Sequence, residues 1–130
     1  MTARPWLSVV MPLHDGAEWI EATLASLAQQ DTAGIEIIAI DSSADERTAE
    51  IAGGFTDRLD LTLLRRPDAP SWTEKTNLAV QLAKADHVVM LHQDDLWLPG
   101  RADAVRCWIE TAPDACLHLA PTAILDRNGR

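Results

Sequence analysis

Residues 87–100 read HVVMLHQDDLWLPG. The apolar run Val88 to Leu91 stops at His92, Gln93, Asp94 and Asp95, and Pro99 then opens a new segment. A short run with β-branched residues reads as a buried strand, and proline is favoured in the first turn of a helix. Adjacent carboxylates repel, so a strand ending on two of them asks for a positive partner beyond it. In an open parallel sheet that place, past the carboxyl ends of the strands, is where ligands gather.

The same strand-then-helix pattern recurs outward from this stretch. LSVVMP (7–12) reads as a first buried strand, and Asp15 can cap a helix in GAEWIEATLASLAQQ, with Ile20, Leu24 and Leu27 on one face. IEIIAI (35–40) is a second strand, ending on Asp41, and the short helix ERTAEIA closes at Gly53–Gly54. LDLTLL (59–64) makes a third. Past Arg65, Arg66 and Pro67, Ser71 and Glu74 form a capping-box signature for a helix that carries Leu78 and Leu82 and ends near Lys84. From Pro99, a helix carries Ala102, Val105, Trp108, Ile109 and Ala112 as its apolar stripe. The closing CLHLAPTAILDRNGR reads as one or two strands and a hairpin turn at Asn128–Gly129. Only Arg130 follows that turn, so the expectation is the front part of a longer protein. Four alternations of strand and helix predict an α/β fold, a mainly parallel sheet with helices on both faces.

With 130 residues the chain is expected to be one domain, 1–130. Acidic side chains outnumber basic ones 20 to 11, for a net charge of -9. That balance argues against a nucleic-acid partner and against an electrostatic anchor on anionic lipid. An anionic small ligand remains compatible, provided a divalent cation mediates the contact. Cys107 and Cys116 read as reduced thiols, and a zinc set of Cys107, Cys116, His118 and His92 fits no common spacing. No signal peptide and no membrane-spanning run are read, and the expected compartment is the cytoplasm.

The predicted strand ends gather Pro12–Leu13–His14–Asp15, Asp41–Ser42–Ser43, Arg65–Arg66 and His92–Gln93–Asp94–Asp95. Carboxylates massed on one rim suit a hard divalent cation and its phosphate oxygens. Each also has a plainer reading: Asp15 and Asp41 as caps, His14 and His92 as structural residues, Asp94–Asp95 as partners of a helix start. Dinucleotide, Walker and nucleophile-elbow glycine patterns are absent, and Cys107 reads as a packing residue.

Taken in order, LSVVMPLHDGAEWIEATLASLAQQ, IEIIAIDSS and TNLAVQLAKADHVVMLHQDDLWLPGR resemble the family 2 glycosyltransferases of the GT-A (Rossmann-like) fold. The resemblance covers most of residues 6–110 and implies a GT-A domain cut short after its Asp-x-Asp region. It implies that Pro12, Leu13 and His14, with Asp15, stand where a Pro-x-Tyr-Asn-like loop lines the nucleotide base. Asp41 matches the first Asp of Asp-Asp-Gly-Ser, which contacts the nucleotide. Asn77 matches a family Asn, and Lys75 is the nearest candidate for a neighbouring basic residue. His92, Gln93, Asp94 and Asp95 align with Asp-x-Asp-Asp, imidazole replacing the first carboxylate. Asp94, Asp95 and His92 are thereby candidate ligands of Mn²⁺ or Mg²⁺ bridging the donor diphosphate, Mn²⁺ being favoured by the imidazole. Which Asp binds directly stays open, and His92 is either a ligand or a ribose contact.

The implied activity is transfer of a sugar from a nucleotide-diphospho-sugar to an acceptor hydroxyl with inversion. This chain would carry the donor half, and Asp126 comes too early to be the catalytic base. In a longer protein the inner membrane surface is a further expected location. The acceptor is unspecified. Two alternatives stand beside this reading: a non-catalytic module of the same ancestry binding nucleotide or a partner, and an unrelated receiver-like domain. Five tryptophans and a free sheet edge also lead to an expectation of self-association.

Overall fold

The computed structural model describes residues 3–126, 128 and 129. The strands are β1 (Leu7–Leu13), β2 (Ile35–Asp41), β3 (Asp60–Arg65) and β4 (Val88–Met90). They form one sheet in the order β3-β2-β1-β4, every pairing parallel. Between and after them run α1 (Ile20–Ala28), α2 (Arg47–Gly53), α3 (Trp72–Leu82) and α4 (Arg101–Thr111). The alternation expected from the sequence is therefore present, and all four strands point their carboxyl ends to one rim.

Every residue of β1 and β2 is buried, because helices cover both faces. Val9, Met11, Ile37 and Ala39 pack with Leu24 and Leu27 of α1, Ala52 of α2 and Val105 of α4. On the other face Val10, Ile38 and Ile40 meet Ala79 of α3. This two-sided burial is why both strands read as unbroken apolar runs rather than as alternation. β4 is different: its outer edge pairs with no described strand, and Val88 and Met90 are exposed.

Several local expectations need correction. Asp15 is not a helix cap; α1 starts after Trp19 with no side-chain cap. Asp15 instead sits at φ 43, in the left-handed region, and its Oδ1 accepts the Ala44 N–H at 3.1 Å. A turn in which Gly16 O accepts the N–H groups of Trp19 and Ile20 delays the helix. Pro99 lies outside α4, whose N-cap is Gly100 at φ 83. Gly54 ends α2 in a right-handed conformation, φ -66, not through a left-handed turn. On α3 the buried residues are Lys75 and Ala79, while Leu82 is exposed. Ala112, expected on the α4 stripe, is exposed just past that helix.

Residues 116–125 form no strand: Leu117, Leu119, Ile124 and Leu125 are exposed and no ladder reaches them. Alternating side chains do not make a strand without a neighbour to take the backbone hydrogen bonds. Gly129 N–H donates to Asp126 O at 3.0 Å, which puts Gly129 last in that turn and not at its centre, where the expected Asn128–Gly129 hairpin would have it. Arg127 and Arg130, which flank that pair, lie outside the described residues.

Candidate functional site

The loops leaving β1, β2 and β4 meet at the carboxyl rim, and side chains tie them together. Leu13 and Pro12 are buried at the end of β1, Leu13 within the main core. His14 turns outward into solvent, with Nδ1 3.1 Å from Ser42 Oγ and Nε2 3.4 Å from Asp15 Oδ2. Ser42 Oγ also accepts from Lys75 Nζ at 2.6 Å, and the same ammonium donates to Pro70 O at 3.0 Å. Lys75 reaches this point from the first turns of α3 and is 2% exposed. Its burial pushes the ammonium below the usual 10.5, against the opposing pull of Asp41 and Glu74. The capping box holds that helix start: Ser71 Oγ accepts the Glu74 N–H at 3.1 Å, and Glu74 Oε2 accepts the Ser71 N–H at 3.3 Å.

Asp41 is 0% exposed. Its Oδ1 accepts from the N–H and hydroxyl of Ser43, folding residues 41–43 into a tight turn. Oδ2 lies 3.3 Å from Arg65 Nε without hydrogen-bond geometry, and both atoms are otherwise unpartnered. The outer nitrogens of Arg65 donate to Ser43 O at 2.9 Å and Asp45 O at 2.8 Å. Asp41 and Arg65 thus stand beneath the loop rather than on its surface. Arg66 is engaged elsewhere, forked onto Asp68 at 2.9 and 2.8 Å, which holds the Asp68 carboxyl down at about 2.

The end of β4 is built differently. Asp94 and Asp95 are exposed, and neither carboxylate has a hydrogen-bond or ion-pair partner among the described residues. The backbone on either side of them is anchored. Gln93 O accepts from Thr23 Oγ1 at 2.6 Å, and Trp97 N–H donates to Ser26 Oγ at 3.1 Å. Gln30 Nε2 donates to Leu98 O at 2.9 Å while its Oε1 accepts the Ala102 N–H at 3.1 Å. Thr23 and Ser26 lie three residues apart on α1, and Gln30 follows just past its end. Beneath them the Trp97 indole is buried in the core. Two free carboxylates therefore project from a turn whose backbone is pinned on both flanks.

His92 faces elsewhere: its ring meets Trp72 edge-on, centroids 6.1 Å apart. Among the described residues no three His, Cys, Asp or Glu side chains stand close enough to share a metal ion. The expected trio of His92, Asp94 and Asp95 is accordingly not drawn together. Asn77 is exposed on α3, two residues and more than half a turn beyond Lys75, and its side chain makes no hydrogen bond among the described residues. A pair of free carboxylates still fits a divalent cation carried in by a ligand. Mg²⁺-like ions are held by one or two carboxylates, the rest of the shell being phosphate oxygen and water.

Gln93 escaped the sequence reading. Its side chain grips the His14 peptide on both sides, Oε1 accepting the N–H and Nε2 donating to the carbonyl, each at 2.9 Å. A lone Gln between His92 and Asp94 looks like a spacer. The only hint lay 77 residues earlier, where Gly16 supplies the room the amide occupies. Thr23, Ser26 and Gln30 were equally hidden, since Thr, Ser and Gln on or just after a helix usually face water.

In an open parallel α/β sheet, loops gathered past the carboxyl ends of the strands are where ligands, nucleotides among them, bind. Residues 8–126 match glycosyl transferase family 2, and the chain belongs to that family. The receiver-like alternative is thereby set aside. An uncharacterized glycosyltransferase of Haemophilus influenzae is 28% identical over 109 residues, covering 83% of this chain and 36% of the relative. The structure of S. aureus TarS 1-349 in complex with UDP-GlcNAc superposes with a TM-score of 0.75 at 20% identity, over 93% of this chain and 38% of that one. The mannosyltransferase PcManGT from Pyrobaculum calidifontis, in complex with GDP-Man and Mn²⁺, gives 0.67 at 30% identity, over 83% and 33%. The fold is GT-A, and the chain spans little more than a third of the curated relatives' length. Among the described residues no helix is long and apolar enough to cross a membrane.

Proposed function

We propose that this chain, residues 1–130, is the donor-binding half of a metal-dependent glycosyltransferase acting on a nucleotide-diphospho-sugar. The observation that carries the reading is the pair of exposed carboxylates, Asp94 and Asp95, without a partner among the described residues and on a turn pinned at both ends. Leaving two adjacent charges without a protein partner costs stability through their repulsion, and a ligand-borne cation removes that cost. Mn²⁺ or Mg²⁺, when bound there with the donor, supplies charge neutralisation at the departing diphosphate.

The chain's own residues do the rest of the donor binding. Asp94 and Asp95 orient the diphosphate end. His14, held at Ser42, offers an imidazole to the nucleotide from the β1 loop. Lys75 fixes that corner from below through Ser42, and its buried charge favours an anionic ligand overhead. Asp41 acts through the 41–43 turn it shapes, since its carboxylate has no open surface. His92 meets the exposed Trp72 edge-on, and the Trp72 indole offers an aromatic face suited to a ribose or sugar ring. Attack by an acceptor hydroxyl with inversion needs a general base, which we assign to a portion of the protein beyond this chain. PcManGT with GDP-Man and Mn²⁺, and TarS with UDP-GlcNAc, support the donor class.

Calorimetric titration of UDP and of GDP, each with and without Mn²⁺, tests the reading. The expected result is binding by one of them that Mn²⁺ strengthens and that an Asp94→Ala, Asp95→Ala double variant loses. A folded wild-type chain whose nucleotide affinity ignores both Mn²⁺ and the double substitution would remove the proposal.

A further inference from the structure

Backbone pairing between β1 and β4 ends early. The register runs from Ser8↔Val88 to Val10↔Met90, and Leu91 N–H to Val10 O at 3.0 Å is the last rung. Beyond it the two chains separate, one toward His14 and the other toward Asp94. Across the gap lies the Gln93 amide, bonded to both polar groups of the His14 peptide at 2.9 Å. A primary amide used this way replaces the two bonds that a paired strand residue would have made. Gln93 is itself fixed, because its carbonyl accepts from Thr23.

Gly16 completes the arrangement. A Cβ at that position would lie 2.2 Å from Gln93 Oε1, so any side chain there expels the amide from its seat. Positions 16 and 93 are matched across the fold, although they are remote in sequence.

We infer that Gln93 is a positioning residue that couples the His14 loop to the Asp94–Asp95 turn, so that cation and nucleotide reinforce each other's binding through the protein. The inference rests on the donor-site reading above. Asp94 follows Gln93 directly, so fixing its carboxylate on a cation restrains the Gln93 backbone. The amide passes that restraint to the His14 peptide, whose ring is seated at Ser42. Linkage makes the effect reciprocal: whatever factor Mn²⁺ adds to nucleotide affinity, the nucleotide adds to Mn²⁺ affinity. A cation bridging carboxylate and phosphate also couples the two directly. That direct part survives changes at Gln93, and the part carried by the amide does not.

The test measures the affinity of UDP or GDP, whichever binds, with and without Mn²⁺, in wild type, Gln93→Ala, Gly16→Ala and the double variant. Gly16→Ala displaces the amide while leaving residue 93 in place, so it serves if Gln93→Ala folds poorly; thermal melting reports folding for each. Both single variants should lower the Mn²⁺ enhancement by about fivefold or more. The double variant should lower it no further, since both changes remove one contact. Amide hydrogen exchange at His14 should quicken in both. Undiminished enhancement in a folded Gln93→Ala or Gly16→Ala chain overturns the inference alone. Additive losses in the double variant overturn it too. Absence of any Mn²⁺ enhancement in wild type overturns the donor-site reading, and this inference falls with it.

Discussion

Asp41 ends β2 and the Asp94–Asp95 pair follows β4, the two strands that flank β1, yet their surroundings are opposite. Asp41 is sealed beneath its loop, one oxygen occupied by Ser43 and the other facing Arg65. The Asp94 and Asp95 carboxylates stand in solvent with no partner among the described residues, while the backbone around them is tied to α1. In the first case the carboxylate organises the loop. In the second the loop organises the carboxylates. An acid whose charge is consumed by the fold has none left for a ligand, so Asp41 serves stability, and the proposed function gives binding to the free pair.

The comparison can be broken by exchanging the expected effects. Asp41→Asn should have the largest influence on stability, about 3–5 kcal/mol in urea denaturation, because it strands a largely buried guanidinium without its counter-charge. A loss under about 1 kcal/mol would show that Asp41 is not a keystone. Thr23→Val keeps the shape but removes the hydroxyl under Gln93, and should cost about 1–2 kcal/mol. It should also weaken Mn²⁺-dependent nucleotide binding, although Thr23 lies outside the acidic turn. Unchanged binding in that variant would mean that α1 supports the fold and not the site.

Lys75 sharpens the same contrast through pH. Burial lowers its pKa from 10.5, so between the folded value and 10.5 the unfolded chain binds more protons than the folded one. Stability relative to a Lys75→Met variant should therefore rise as pH climbs through that window. Denaturation of both proteins at about pH 8 and about pH 10 measures the slope. A falling difference would mean that attraction to Asp41 outweighs the burial penalty. The smallest effect on stability is expected where binding matters most: Asp94→Ala with Asp95→Ala should stay within about 0.5 kcal/mol of wild type, or gain slightly from lost repulsion.

The sequence displayed the sheet clearly because two-sided burial writes itself as unbroken runs such as IEIIAI. Ser71 and Glu74 announced α3 equally well, since both halves of that cap are local in sequence. What stayed hidden depends on contacts between distant positions. Sequence alone marks Lys75 only as the nearest basic candidate, and its burial against Ser42 and Pro70 depends on contacts remote in sequence or set by the helix start. Asp15 had the composition of a cap, but a left-handed turn redirected it to Ala44. CLHLAPTAIL alternates like a strand and lacks the neighbour that would make it one. At the rim, Asp41 and Asp94 both appeared as acids after apolar runs, and what separates them is burial against Ser43 and against Arg65, 24 residues on from the first.

The most direct measurement is Mn²⁺ electron paramagnetic resonance during titration with the chain in the presence of UDP or GDP. The account predicts that wild type depletes the free Mn²⁺ signal well beyond what the nucleotide alone removes. The Asp94→Ala, Asp95→Ala variant should return it to the nucleotide-only level. Equal depletion by both proteins would place the cation elsewhere and contradict the assignment of binding to the free pair.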